Sequence, residues 1–211
     1  MNSKITYIIA TLGLFDVNNN AFTSLKRQTS NDFIAYIIHQ GNESFDFELV
    51  RNINYRYFHL DNIGLSNARN YGILNSNTEL ISLLDDDAVL PPEYTNNVIS
   101  KFYKYKCDVL CGIVIDPITN KPIARGIYNN SSFLMGRNNL NYFMSSAITA
   151  KTSILINNLF DTDFGLGSKY GASEESDLFL RLYNLSLIHI SEPTRPLYIS
   201  YAVFCLKKKF F

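Results

Sequence analysis

Leu80-Ile81-Ser82-Leu83-Leu84 runs straight into three carboxylates, Asp85-Asp86-Asp87, and then into Ala88-Val89-Leu90-Pro91-Pro92. A short apolar run rich in branched side chains reads as a buried strand, and the proline pair stops it from continuing as regular structure. The acids therefore stand at a strand's carboxyl end, which in open α/β sheets is the edge where ligands bind. If the extended geometry persists, Asp85 and Asp87 point the same way. Two like charges about 5 Å apart repel by roughly 3 kcal/mol at an effective dielectric of about 20, so a cation between them is expected. Mg²⁺ or Mn²⁺ suits that place, since each takes one or two protein carboxylates and leaves its other positions to water and substrate phosphates. The alternative is a solvated acidic turn, an ordinary feature of loops.

Outward from this junction, strand-like and helix-like runs alternate. Ile5 to Ala10 is a strand ending at Thr11-Leu12-Gly13, and Asn18 to Gln28 carries Ala21, Phe22 and Leu25 at helical spacing. Phe33 to Ile38 is a second strand, closed by the polar turn His39-Gln40-Gly41-Asn42, and Phe45 to Arg51 suits a short helix. Tyr55 to Leu60 alternates like an edge strand, and Ser66 to Leu74 reads as a helix with Ala68 and Tyr71 toward the core. Glu93 to Tyr105 is helical, with Tyr94, Val98, Phe102 and Tyr105 on one side. Further on, the spacing predicts a strand over Val109 to Ile115 and a loop over Asp116 to Pro122. Asn129 to Asn141 reads as a polar contact surface, Ser145 to Ala150 as a strand and Thr152 to Leu159 as a short helix. Strands alternating with helices across short loops predict a mostly parallel α/β sheet, its first half a Rossmann-like nucleotide-binding layer.

Composition bounds the class. The 211 residues are 46% hydrophobic and 18% charged, as expected of one soluble globular domain with a sizeable core. Formal charge is zero, yet residues 1–184 hold 15 basic and 18 acidic groups, net −3, which predicts no nucleic-acid partner. Met1-Asn2-Ser3-Lys4 leads into a strand-like run without the apolar region of a secretory signal, and no stretch has the length of a membrane span. Cys107, Cys111 and Cys205 are too few and too scattered for a zinc site or disulfide framework, so buried reduced thiols are expected.

The last segment stands apart. Leu185 to Arg195 resembles the conceptual translation of a sequencing-library adapter, Ile199 to Leu206 resembles the far end of the same adapter, and Lys207-Lys208-Lys209 a run of adenines. Residues 185–211 are accordingly expected to be foreign, the natural chain being cut at Asn184, and His189 is set aside as a ligand. Ile199 to Leu206 is apolar and aromatic enough to form a strand, which would say nothing about function.

A second acidic constellation follows a glycine-rich loop from Phe164 to Gly171. In Gly171-Ala172-Ser173-Glu174-Glu175-Ser176-Asp177-Leu178, Ser173 takes the N-cap position of a helix running to Asn184, with three acids in its first turn. Such acids complement the helix dipole and are ordinary in a structural helix. Beside a metal–phosphate site, a carboxylate at a helix start also suits a general base, and Gly165, Gly167 and Gly171 allow backbone to approach a ligand closely.

Taken together, the motifs resemble those of inverting family-2 glycosyltransferases with the GT-A nucleotide-sugar-binding fold. Gly64-Leu65-Ser66-Asn67-Ala68-Arg69-Asn70-Tyr71-Gly72 is similar to the family's G-x-x-x-A-R-N-x-G helix, and Leu84-Asp85-Asp86-Asp87 to its D-x-D strand end. Phe160-Asp161 through Gly167 to Glu174-Glu175-Ser176-Asp177-Leu178 is similar to its acceptor-side motif, and the first strand to its opening strand. The resemblance spans most of residues 5–184 and implies a GT-A domain over 1–184, with a nucleotide-sugar half over 1–115 and an acceptor half over 116–184.

The resemblance also implies roles. Asp85 and Asp87 would hold Mg²⁺ or Mn²⁺ on the donor diphosphate, with Asp86 near the ribose or metal. Arg69 would reach the nucleotide or its phosphates, supported by Asn67 and Asn70, and Thr11 and Leu12 would border the base. Gln40 stands near where the family places a base-reading Asp, and its amide can both donate and accept. Glu175 occupies the position of the catalytic Asp, with Glu174 as fallback. The implied reaction moves a sugar from a UDP- or GDP-linked donor to an acceptor hydroxyl of a glycan or glycolipid with inversion. Its setting would be polysaccharide or glycolipid synthesis in the cytoplasm, at the inner face of the plasma membrane through peripheral association. Two alternatives stay open: a non-catalytic nucleotide-sugar binder, and a haloacid-dehalogenase-like phosphohydrolase, whose Asp-x-Asp would be expected on the first strand.

Overall fold

A computed structural model describes residues 3–13, 20–106, 108–116, 118–119, 144–185, 187–190 and 200–208. The strands are β1 (Ile5–Thr11), β2 (Phe33–Gln40), β3 (Tyr55–Leu60), β4 (Leu80–Leu83), β5 (Val109–Ile113), β6 (Ile148–Lys151), β7 (Leu187–Ile190) and β8 (Ser200–Lys208). Helices are α1 (Ala21–Lys26), α2 (Leu65–Asn75), α3 (Tyr94–Tyr105), α4 (Thr152–Ile156) and α5 (Glu174–Asn184). They build one sheet of order β3-β2-β1-β4-β6-β5-β8-β7. β3, β2, β1 and β4 are parallel, and β6 lies antiparallel between β4 and β5. Among these six central strands β6 alone is reversed, so the sheet is the mostly parallel one expected. The order turns back at β1 and β4, whose carboxyl ends open side by side.

Strand alternation sends side chains to two cores. Ile8, Tyr36, Ile38, Ile81 and Leu83 face α2, α4 and α5, where Ala68, Leu155, Leu178 and Phe179 close the layer. Ile5, Tyr7, Ile9, Phe33 and Ile37 face α1 and α3, meeting Phe22, Leu25, Val98 and Phe102. α2 lies especially close to β1, because a Cβ on Gly72 would stand 2.6 Å from Ile8 Cγ2. α1 starts with a reciprocal cap between Asn20 and Thr23, and its first amide, Ala21 N, donates to the Asp86 carbonyl at 3.0 Å. The acidic strand end is thereby tied to the first helix.

Several expectations are corrected. His39 and Gln40 end β2 rather than forming a turn, and both are buried: His39 pairs with Thr11 of β1 and His59 of β3, and Gln40 with Leu60 of β3. Ser145 to Ala147 forms a 3-10 turn ahead of β6. Tyr71 lies on the outer side of α2, 37% exposed, with its ring edge-on to Phe58. The thiol of Cys111 is buried as expected, and burial pushes it up to about 12, so it stays protonated. Expectations for Asn129 to Asn141, most of the preceding loop and Cys107 lie outside the described residues. At the far edge β8 pairs with β5 and β7 with β8. That pairing is what an edge strand offers to any extended run.

Candidate active site

β4 stops at Leu83, and the Asp85 carbonyl accepts from Ala88 N at 3.1 Å, closing a turn. The extended geometry that would align Asp85 with Asp87 is thus broken. The turn nevertheless delivers all three carboxylates to one cavity of about 310 Å³ at the carboxyl ends of β1, β2 and β4. Thr11 Oγ1 accepts from Gly13 N at 2.9 Å and donates to Asp86 Oδ2 at 2.6 Å. Burial raises the Asp86 pKa above the usual carboxylate range; the Thr11 hydroxyl opposes the rise, and the charges of Asp87 and Asp85 add to it. Asp86 is therefore the member tied inward to β1, while Asp87 is exposed at the rim.

The other end of this cavity is apolar. Gly41 sits at φ +83 between Leu12 and Ile63, and a Cβ there would lie 3.7 Å from Ile63 Cδ1 and 4.0 Å from Leu12 Cδ2. Leu12 and Ile63 both line the cavity, leaving an apolar slot beside Gly41. Gln40 lines it, but its amide grips one backbone residue: Nε2 donates to Gly64 O at 3.2 Å, and Oε1 accepts from Gly64 N at 3.3 Å. One N–H and one lone pair remain for a ligand. The same contacts fix the start of α2.

Along α2, Arg69 is 3% exposed and spans two acids far apart in sequence. Its Nη2 donates to Asp85 Oδ1 at 2.9 Å and its Nη1 to Glu174 Oε1 at 3.0 Å, with the guanidinium 5.5 Å from the Phe160 ring centre. Asn70 holds Phe160 itself, donating to its carbonyl and accepting from its amide, both at 2.8 Å. Asn67 is exposed and lines neither this cavity nor the next.

A second cavity, of about 280 Å³, adjoins the first and shares Leu65, Asp85 and Leu166 with it. Ser145, Ser146, Glu174 and Glu175 line its far side. Ser173 precedes α5 at φ 72 with no side-chain cap, so the expected capping contact does not form. Glu174 is buried against Arg69, whereas Glu175 is partly open. The Glu175 pKa is raised, foremost by burial and then by the charge of Glu174 and a side-chain hydrogen bond shared with it, with its backbone amide and, more weakly, Arg69 opposing. Gly165 is needed for this fit, since at φ +99 a Cβ would stand 2.8 Å from Ser66 Oγ and 3.5 Å from Glu174 Oε2. Ser66 Oγ donates to Phe164 O at 2.6 Å, and Leu65 N to Leu166 O at 3.0 Å, seating the glycine-rich loop on the start of α2.

Of the residues singled out in the sequence, Thr11, Leu12, Gln40 and the aspartate triplet meet in the first cavity, and Arg69, Asp85, Glu174 and Glu175 in the second. Sequence reading missed Ser66, Ser145, Ser146 and the apolar walls Ile63, Leu65 and Leu166. Ser66 lies inside the quoted helix motif and could have been found there; the serine pair carries no motif of its own.

The profile of the family described as "Glycosyl transferase family 2" matches residues 9–158, well over half of the chain. The chain belongs to glycosyl transferase family 2. A curated relative of this glycosyltransferase is Glycosyltransferase GlyA of Streptococcus pneumoniae serotype 4 (strain ATCC BAA-334 / TIGR4), 23% identical over 117 residues, which cover 53% of this chain and 17% of that protein. The crystal structure of S. aureus TarS aligns with a TM-score of 0.65 at 13% identity, over 83% of this chain and 34% of that one. S. aureus TarS 1-349 in complex with UDP-GlcNAc aligns at 0.58 and 15% identity, over 83% and 54% of the two chains. Mannosyltransferase PcManGT from Pyrobaculum calidifontis, in complex with GDP-Man and Mn²⁺, aligns at 0.57 and 14% identity, over 86% and 52%. The glycosyltransferase thus has the GT-A architecture, and it spans about half or less of the proteins it resembles. Among the described residues no helix is long and apolar enough to cross a membrane.

Proposed function

We propose that this glycosyltransferase takes a sugar from a nucleotide-diphosphate donor and passes it, with inversion, to an acceptor hydroxyl. The observation that carries the reading is the shared wall: Asp85 lines both cavities, so a sugar on a diphosphate at the aspartate triplet would project toward Glu174 and Glu175. The slot between Leu12 and Ile63 takes the base, with the unused valences of Gln40 at its edge. Asp86, held by Thr11, borders the ribose. The neighbours' UDP-GlcNAc and GDP-Man ligands support a UDP- or GDP-linked donor.

The donor set also fits Mg²⁺ or Mn²⁺. Among the described residues no three His, Cys, Asp or Glu side chains form a closed metal cage, but Asp85 and Asp87 offer open carboxylate oxygens beside a cavity, as a cation shared with a diphosphate requires. When bound, the ion offsets charge developing on the leaving nucleotide. Glu175 receives the acceptor's proton, because it is the acid at the cavity that is not already ion-paired with Arg69. Burial, foremost, raises its pKa, which makes it a stronger base than an ordinary carboxylate. Family membership supports polysaccharide or glycolipid synthesis on the cytoplasmic face of the plasma membrane as the setting, with a glycan or glycolipid acceptor. We read residues 185–211 as lying outside the catalytic unit.

Calorimetry with UDP-GlcNAc and GDP-mannose, each with and without Mn²⁺, paired with turnover of the same donors, tests the reading. Asp87→Ala is expected to abolish the Mn²⁺-dependent part of binding, and Glu175→Gln to retain binding while losing transfer. Unchanged turnover in Glu175→Gln would remove the assignment of the base. Donor binding without any transfer in the unaltered chain would favour a non-catalytic binder.

A further inference from the structure

We propose that Arg69 is a positioning residue: it fixes Glu174 and Asp85 relative to each other, leaves Glu175 as the one acid of the pair available to the acceptor, and does not contact the donor diphosphate. The inference rests on the transferase reading above and departs from the role that the helix motif implies for this arginine. Arg69 is 3% exposed, and each of its terminal nitrogens already holds one acid, Asp85 at 2.9 Å and Glu174 at 3.0 Å, which fixes the plane of the guanidinium. With so little of its surface open, the guanidinium would have to turn to meet a phosphate, and turning strains its pair with Glu174, whose side chain is only 8% exposed and would be left buried without its cation, a heavy penalty. The guanidinium also rests on the Phe160 ring, and the next residue, Asn70, pins the Phe160 backbone from both sides. The fork and the surface beneath it are thus held by the same two turns of α2.

The arrangement calls for arginine. A planar guanidinium sends hydrogen bonds in two fixed directions, whereas a lysine ammonium on a flexible stem would satisfy one acid at a time. Glu175 faces Glu174 on its own helix, Arg69 from α2 and Asp85 across the cavity from the end of β4, while Asp177, two residues further, is bound to Arg181 at 2.7 Å. Removing Arg69 leaves two acids without their shared cation next to Glu175. A like charge no longer balanced makes a neighbouring carboxyl hold its proton to higher pH.

The experiment uses the whole chain and the variants Arg69→Met, Arg69→Lys, Glu174→Gln and the double variant Arg69→Met with Glu174→Gln. Binding of UDP and of GDP with Mn²⁺ is measured by calorimetry, turnover of their GlcNAc and mannose conjugates across pH, and the urea midpoint for each protein. Arg69→Met is expected to bind nucleotide within about threefold of the unaltered chain while turnover falls by about 100-fold. The acid limb of the remaining activity should move up by about one pH unit, and Arg69→Lys should recover only part of the turnover. The double variant should have a urea midpoint above that of Arg69→Met, because removing both partners is milder than stranding one. A loss of nucleotide affinity of about tenfold or more, with the acid limb in place, would make Arg69 a phosphate ligand and overturn the inference. Should Arg69→Met not fold, Arg69→Lys carries the same binding and pH measurements. If the unaltered chain neither binds nor turns over these donors, the transferase reading fails by itself. The urea midpoints then still decide the clamp, since additive losses at Arg69 and Glu174 would sink it.

Discussion

Asn70 holds both polar groups of Phe160, donating to its carbonyl and accepting from its amide at 2.8 Å each, across a sequence gap of 90 residues. The pairing joins α2 to the segment that enters the glycine-rich loop. Asn70→Ala would leave a buried N–H and a buried C=O unpaired, at a cost of about 2–4 kcal/mol. Urea unfolding should show the loss, and Asn70→Asp, which keeps the acceptor and removes the donor, should fall between.

A second prediction concerns acid stability. His39 is buried at the end of β2, its Nδ1 2.8 Å from the Tyr57 hydroxyl. Burial lowers the His39 pKa below its ordinary value of 6.5; the neighbouring His59 adds to the shift and the Leu12 backbone opposes it. A ring that takes up a proton less readily when folded favours folding above its unfolded pKa and loses that contribution as pH falls. The thermal midpoint should therefore drop between about pH 7.5 and pH 5, and His39→Gln should flatten that drop. Equal slopes in the two proteins would clear His39 of the effect.

Transfer should have its own acid limb. Glu175 must be deprotonated to receive the acceptor's proton, and burial together with Glu174 raises its pKa. Turnover should rise with pH through a value above the usual carboxylate range of about 4.3. Glu174→Gln removes the like charge, so a surviving limb should move to lower pH. Loss of transfer in Glu174→Gln, with Glu175→Gln still active, would exchange the roles of the two glutamates.

Close packing of α2 on β1 gives a prediction about stability alone. Gly72→Ala places a methyl 2.6 Å from Ile8 Cγ2, and relieving that overlap should cost about 1–3 kcal/mol despite the better helix propensity of alanine. Combined with Ile8→Ala the two losses should fall short of their sum, because the second change opens the space that the first one needs. Denaturant midpoints of the four proteins read this directly.

Much of the architecture was legible in the chain, for a local reason. β1, β4 and α3 are written in runs of apolar residues at period two or at helical spacing, and those periods survive folding. His39 and Gln40 were less legible, since polar residues after an apolar run look like a turn until parallel neighbours, β1 and β3 at His39 and β3 at Gln40, extend the strand. The aspartate triplet declared its place but not its geometry, because the turn closed by Ala88 is a matter of backbone hydrogen bonding. Arg69 stood out in the motif, yet its partners lie 16 and 105 residues away, and the direction of a side chain across such gaps is set by packing. The walls Ile63, Leu65 and Leu166 gave no signal, as single apolar residues in loops and at helix starts are common on any surface.

Leu166 projects from the glycine-rich loop with its carbonyl bound to Leu65 N, and it borders both cavities. A partition common to two chambers cannot be shifted for one tenant alone. If the first chamber seats the donor and the second the acceptor, as proposed, replacing Leu166 to admit a bulkier acceptor would also reshape the donor's seat, so relatives that diverge in acceptor choice should vary instead at Ser145, Ser146 and Ala172, which border the second chamber only.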